Sequence, residues 1–146
     1  MYQIIDEDVF NSNSTILVNA INIIGIMGSG IALEFKNRYP DMYLDYIDKF
    51  RNRQLQIGKP YLYKNIYNFP TKKHWKDNSK LEWIDEGLQH FTNTYQELGI
   101  TSIAFPKLGC GKGSLNWNEV QDLMIRHFTP LENIDIKICL AKNQKF

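Results

Sequence analysis

Val18-Asn-Ala-Ile-Asn22, running on through Ile23-Ile-Gly-Ile-Met-Gly-Ser-Gly-Ile-Ala32, is the stretch that decides how this chain folds. An apolar, β-branched run gives way to a polar turn, then to glycines at 25, 28 and 30, then to a helical pattern beginning at Gly30. A strand that ends in a glycine-rich loop and enters a helix is the opening unit of an α/β fold. The glycines let the backbone turn tightly, and a helix start at Gly30 turns free N–H groups toward any bound anion. The loop is neither a Walker loop, which needs Gly-Lys-Ser/Thr, nor a dinucleotide fingerprint with its acidic residue. A phosphate loop and a plain tight turn both fit it, and Asn19 and Asn22 fit either a ligand site or a turn.

Working outward, short apolar runs at Tyr2–Ile5, Thr15–Asn19, Tyr61–Tyr63, Ile66–Phe69, Ser102–Phe105 and Ile134–Leu140 read as strands. Gly30–Arg38, Pro40–Arg51, Lys80–Leu98 and Trp117–Phe128 read as helices. In the third, Leu81, Ile84, Leu88, Phe91, Tyr95 and Leu98 recur at spacings of three and four and form one apolar stripe. Pro40 suits a first helical position, and Ser79 with Glu82 and Asn116 with Glu119 match capping boxes. This alternation predicts a largely parallel or mixed sheet with helices on both faces and ligands at the carboxyl ends of the strands.

The bulk composition agrees with one domain over residues 1–146. Hydrophobic residues make up 43% and charged residues 23%, as in globular proteins. Lys and Arg total 17 against 16 Asp and Glu, so attraction to nucleic acid has to be local. Cys110 and Cys139 have no metal-ligand spacing and no disulfide pattern, which fits a reduced cytoplasmic compartment. No signal peptide or membrane-spanning run is evident.

A second glycine-rich loop, Pro106-Lys-Leu-Gly-Cys-Gly-Lys-Gly-Ser-Leu-Asn-Trp117, again lies between a strand and a helix. Three glycines in five residues can point successive N–H groups at an anion, and two such loops at one sheet edge could hold a diphosphate. Cys110 stands among them with no base nearby, which marks it as a packing or lining residue rather than a nucleophile. Between the loops, Asn68-Phe-Pro-Thr-Lys-Lys-His-Trp75 crowds two lysines, a histidine and a tryptophan at a strand end.

Taken together, these three stretches resemble the macrodomain family, and within it the DarG branch, antitoxins that remove ADP-ribose from thymidine in DNA modified by a DarT-type toxin. The resemblance covers about residues 2 to 140 and implies an α/β/α sandwich that binds ADP-ribose without metal or cofactor. It implies that Asp8 accepts a hydrogen bond from the adenine amino group and that Asn22 holds the distal ribose, with Asn19 a further candidate in the ADP-ribose site. Met27, Gly28, Ser29, Gly30 and Ile31 correspond to the first phosphate loop. Gly109, Cys110, Gly111, Lys112 and Gly113 correspond to the second. Lys72 corresponds to a catalytic lysine, acting either as a neutral amine at C1 of the ribose or as an ammonium on the departing base. Lys73 should face away from Lys72, since neighbours on an extended chain alternate.

The human-type enzyme of the family that cleaves protein esters has an aspartate where this chain has Gly113. The missing carboxylate favours a DNA substrate, with Glu34 only an imperfect replacement. Lys73, His74 and Lys76 could meet DNA phosphates and Trp75 could stack on a base, or the tryptophan could pack beneath the next helix. Hydrolysis of small ADP-ribose derivatives, such as O-acyl-ADP-ribose or ADP-ribose 1″-phosphate, and ADP-ribose binding without chemistry stand as alternatives. A monomer is expected. DarG antitoxins carry a further C-terminal domain, so the chain corresponds either to a lone macrodomain or to part of a longer protein.

Overall fold

A computed structural model describes residues 1–141. Six strands, β1 (Tyr2–Ile5), β2 (Ile16–Asn22), β3 (Tyr61–Tyr63), β4 (Ile66–Lys72), β5 (Ser102–Phe105) and β6 (Asp135–Cys139), form one sheet in the order β1-β6-β5-β2-β4-β3. Every pairing is parallel except β3 with β4, which is antiparallel. The four helices are α1 (Gly30–Arg38), α2 (Pro40–Arg51), α3 (Leu81–Thr94) and α4 (Trp117–Phe128).

Alternation along the strands sorts the core into two layers. Val18, Tyr67, Phe69, Ile103, Phe105, Ile136 and Ile138 pack with Ile84, Leu88 and Phe91 of α3 and Val120, Met124 and Phe128 of α4. Leu17, Ile21, Ile66, Ala104 and Cys139 face the other way, onto Phe35 of α1 and Met42 and Tyr46 of α2. The result is the expected α/β/α sandwich with a mixed, largely parallel sheet. Because β1, β6, β5, β2 and β4 run parallel, their carboxyl ends share one edge, and the segments that follow them meet there.

Several boundaries differ from the sequence reading. β2 and β4 each run three residues further than expected, to Asn22 and Lys72, so both residues belong to strands rather than loops. The stripe on α3 ends at Thr94, and Tyr95 and Leu98 continue it as turns. Ser79 does not cap α3. The cap position is Lys80, without a side-chain bond, while Ser79 donates its backbone N–H to Gly113 O at 2.9 Å in the second glycine loop. Asn116 does cap α4, its Oδ1 accepting from the N–H groups of Asn118 and Glu119. Pro40 opens α2 as expected.

Candidate active site

Asn22 and Lys72 are register partners at the ends of adjacent parallel strands. A bulge makes them so. Ile21 pairs with Pro70 and Asn22 with Lys72, leaving Thr71 as the extra residue, its Oγ1 donating to Ile21 O at 3.3 Å. A bulge bends its strand and re-aims the side chain that follows. Pro70 fits here because β3 pairs only with Ile66, Tyr67 and Asn68, so beyond Asn68 its missing N–H breaks no bond to β3.

The Asn22 side chain organises the first loop. Its Nδ2 donates to Ile26 O at 2.7 Å, and its Oδ1 accepts from Tyr46 Oη at 2.7 Å and from Ile24 N at 3.2 Å. The Tyr46 hydroxyl in turn accepts from Gly25 N and Ile26 N, each at 3.1 Å. Tyr46 is fully buried, and burial raises its hydroxyl pKa well above the ordinary phenol value, so it stays a neutral donor. Sequence reasoning missed this residue, because the α2 pattern marks it only as an apolar position. Met27 is buried and anchors the loop from below, whereas Gly28, Ser29 and Gly30 are exposed and Ile31 is half-buried. Ser29 caps α1 without a side-chain bond, and Gly30 sits at φ +59°. The N–H groups of the first helical turn thus have no side-chain cap, an arrangement able to receive an anion.

The second loop folds on itself through Leu115 N to Gly109 O at 2.9 Å and Ser114 N to Gly111 O at 3.1 Å. Gly111 and Lys112 form its exposed crest, while Gly109 and Gly113 are buried against Ser79. A Cβ at Gly113 would lie 2.4 Å from Gly109 O and 2.5 Å from Ser79 Oγ. No carboxylate side chain fits that position without moving backbone. Cys110 is half-buried, its thiol donates to Leu108 O at 3.4 Å, and burial pushes its pKa to about 11. It is a protonated lining residue, as its sequence context indicates.

Lys72 reaches from β4 toward this second loop. Partial burial lowers its pKa below the ordinary lysine value, the charge of Lys112 lowers it further, and Asp77 acts in the opposite sense. Its Nζ donates to Trp75 O at 2.9 Å. Lys73 points elsewhere, as alternation requires, with its Nζ 5.3 Å from the centre of the Trp83 ring. Trp75 is 46% exposed, stacked on His74 at a centroid distance of 5.6 Å and covered by Lys76 Nζ at 5.1 Å. It does not pack beneath the helix that follows.

One expectation needs correction. Asn19 is fully buried on the α1/α2 side of the sheet and gives its amide to Asn68 Oδ1 at 3.0 Å, so its side chain ties β2 to β4 instead of lying open at the strand ends. Glu34 pairs with Arg38 Nε at 2.7 Å one turn along α1, in keeping with its reading as an imperfect substitute for the aspartate. Asp8 follows β1 on the shared edge, with Oδ1 accepting from Asn11 N at 2.9 Å. Among the described residues there is no cluster of histidines, cysteines and carboxylates suited to a metal, and no helix long and apolar enough to cross a membrane.

The arrangement has clear counterparts among known proteins. The Macro domain family model matches residues 18–124. The DNA ADP-ribosyl glycohydrolase of Mycobacterium tuberculosis is 40% identical over 139 residues, covering 90% of this chain and 40% of the relative. The solved macrodomain of Thermus aquaticus DarG superposes with a TM-score of 0.90 at 36% identity, covering 95% of this chain and 97% of that one. Thermosipho africanus DarTG in complex with ADP-ribose gives a TM-score of 0.92 at 35% identity, covering 99% of this chain and 43% of that one. The chain spans about 40% of the length of the DNA ADP-ribosyl glycohydrolases it matches. Fold, loops and these likenesses agree: the chain belongs to the macrodomain family and is most similar, among these, to its DarG members.

Proposed function

We propose that this chain is a hydrolase that releases ADP-ribose from thymidine bases in single-stranded DNA, reversing the modification made by a DarT-type toxin, with Lys72 as the catalytic residue. The observation that carries the reading is the position of Lys72, paired in register with Asn22 and close enough to the second glycine loop to feel Lys112. The two glycine loops would hold the diphosphate through backbone N–H groups, with Gly28, Ser29, Gly30 and Ile31 on one side and Gly109, Cys110, Gly111, Lys112 and Gly113 on the other. Asp8 would receive the adenine, and Asn22 would present the distal ribose to Lys72.

The lowered pKa makes the neutral amine more accessible than in an ordinary lysine, which supports a nucleophilic role. Nζ would bond to C1 of the ribose as the bond to the base breaks and the base departs with the electron pair. The base takes up the proton that the nitrogen sheds, the sugar ring opens to a Schiff base, and water hydrolyses it to free ADP-ribose and restore Lys72. The exposed basic and aromatic edge beside Lys72 supports DNA over small ADP-ribose derivatives, which need no such surface.

An ADP-ribosylated oligonucleotide tests the reading. The native chain should release ADP-ribose, and Lys72→Ala should lose at least about a hundredfold in kcat, in line with loss of a nucleophile, while still binding ADP-ribose. Full activity in the variant, or turnover of O-acyl-ADP-ribose or ADP-ribose 1″-phosphate with none of the oligonucleotide, would refute it.

A further inference from the structure

Of the three tryptophans, only Trp117 packs against a hydrophobic cluster. Trp83, half-buried in the first turn of α3, is instead flanked by two cations: Lys73 Nζ from the end of β4 at 5.3 Å from the ring centre, and Lys80 Nζ from the start of α3 at 5.4 Å. Both distances are within cation–π range. Both lysines are exposed, so their charges stand beside an aromatic ring and open to a polyanion. The only carboxylates in the segment from Lys72 to Trp83 are Asp77 and Glu82, against four lysines. Among the described residues the ion pairs are Arg38–Glu34, Lys49–Asp45 and His127–Asp85, so none of these lysines is neutralised at contact distance.

Building on the hydrolase reading, we propose that Lys73, Lys80 and Trp83 form a second nucleotide subsite for the single strand on which the modified thymidine sits. Each ammonium group meets its own backbone phosphate, and the base between those phosphates lies against the indole. The cluster belongs to the same segment as Trp75, Lys76 and Lys72, where lysines and aromatic rings alternate in the chain. Such alternation suits a polyanion with stackable bases, and neither a protein ester nor a free nucleotide would span it.

The test is anisotropy titration of the native chain and three variants with a labelled, unmodified ten-nucleotide thymidine oligomer across a salt series, paired with cleavage of the ADP-ribosylated oligomer. Lys73→Gln and Lys80→Gln should each lower the slope of log K against log salt by about 0.7, one phosphate contact for a single strand. Trp83→Leu should weaken binding about tenfold with its slope retained. Lys80→Gln lies at the surface and keeps the test valid should Trp83→Leu disturb folding. If the lysine variants bind as the native chain does at every salt concentration, the subsite is wrong, even where the modified oligomer is cut. If the variants show the expected losses while the modified oligomer stays intact, the subsite stands and the hydrolase reading falls.

Discussion

Lys72 gives up its proton more readily than an ordinary lysine, first because burial disfavours its charge and then because Lys112 repels it. In the amine mechanism kcat/KM rises with pH through the Lys72 pKa, because this parameter reports the free enzyme and only the deprotonated form attacks. Lys112→Gln removes the like charge and raises that pKa, so the ascending limb should move to higher pH and the rate near neutrality should fall. A pH profile of kcat/KM for native chain and variant checks this, and a descending limb would instead identify an ammonium acid. At the same scale, Gly113 admits no side chain, since a Cβ there would meet Gly109 O and Ser79 Oγ, so no carboxylate can stand at that point of the second loop. The glycine, the lysine pair and Cys110 were all legible as candidates in the sequence. Tyr46 was not, because an apolar position on a helix hides whether its hydroxyl has partners.

Among the elements, α3 decides where the lysine segment ends. It can lie close to β4 because Gly87 faces the ring of Phe69, and a Cβ there would lie 2.4 Å from the ring. Phe69 is itself fully buried and cannot swing aside. Gly87→Ala should therefore destabilise the fold: overpacking costs about 1–3 kcal/mol, against about 1 kcal/mol gained in helix propensity. Urea unfolding should show a lower midpoint with an unchanged slope, and a midpoint at or above that of the native chain would contradict the packing argument. The bounds of α1, α2 and α4 follow directly from sequence, through Pro40, the Asn116 cap and the apolar period. The ends of β2 and β4 do not. Asn, Pro and Lys are poor strand signals, yet pairing between two neighbouring strands overrides them.

For the molecule as a whole, the site belongs to neither core layer but to the edge where five parallel strands end, so a ligand there ties together loops from separate parts of the chain. ADP-ribose at a hundred times its Kd should add about 2.7 kcal/mol to folding stability, raising Tm by about 5–10 °C for a domain of this size. A thermal melt in the presence of ADP-ribose measures it, and an unchanged Tm would count against the diphosphate site. Sequence by itself determined the alternation of strands and helices, the two glycine-rich loops and that Lys72 and Lys73 face apart, because periodicity, turn chemistry and side-chain alternation act over a few residues. Tertiary structure alone decided that Asn22 and Lys72 stand side by side, that Asn19 is buried, that Ser79 clasps the second loop instead of capping a helix, and that Lys73 and Lys80 meet on Trp83. Each of these depends on strand register, a bulge or a helix docking distance, which are set by packing between segments far apart in the chain.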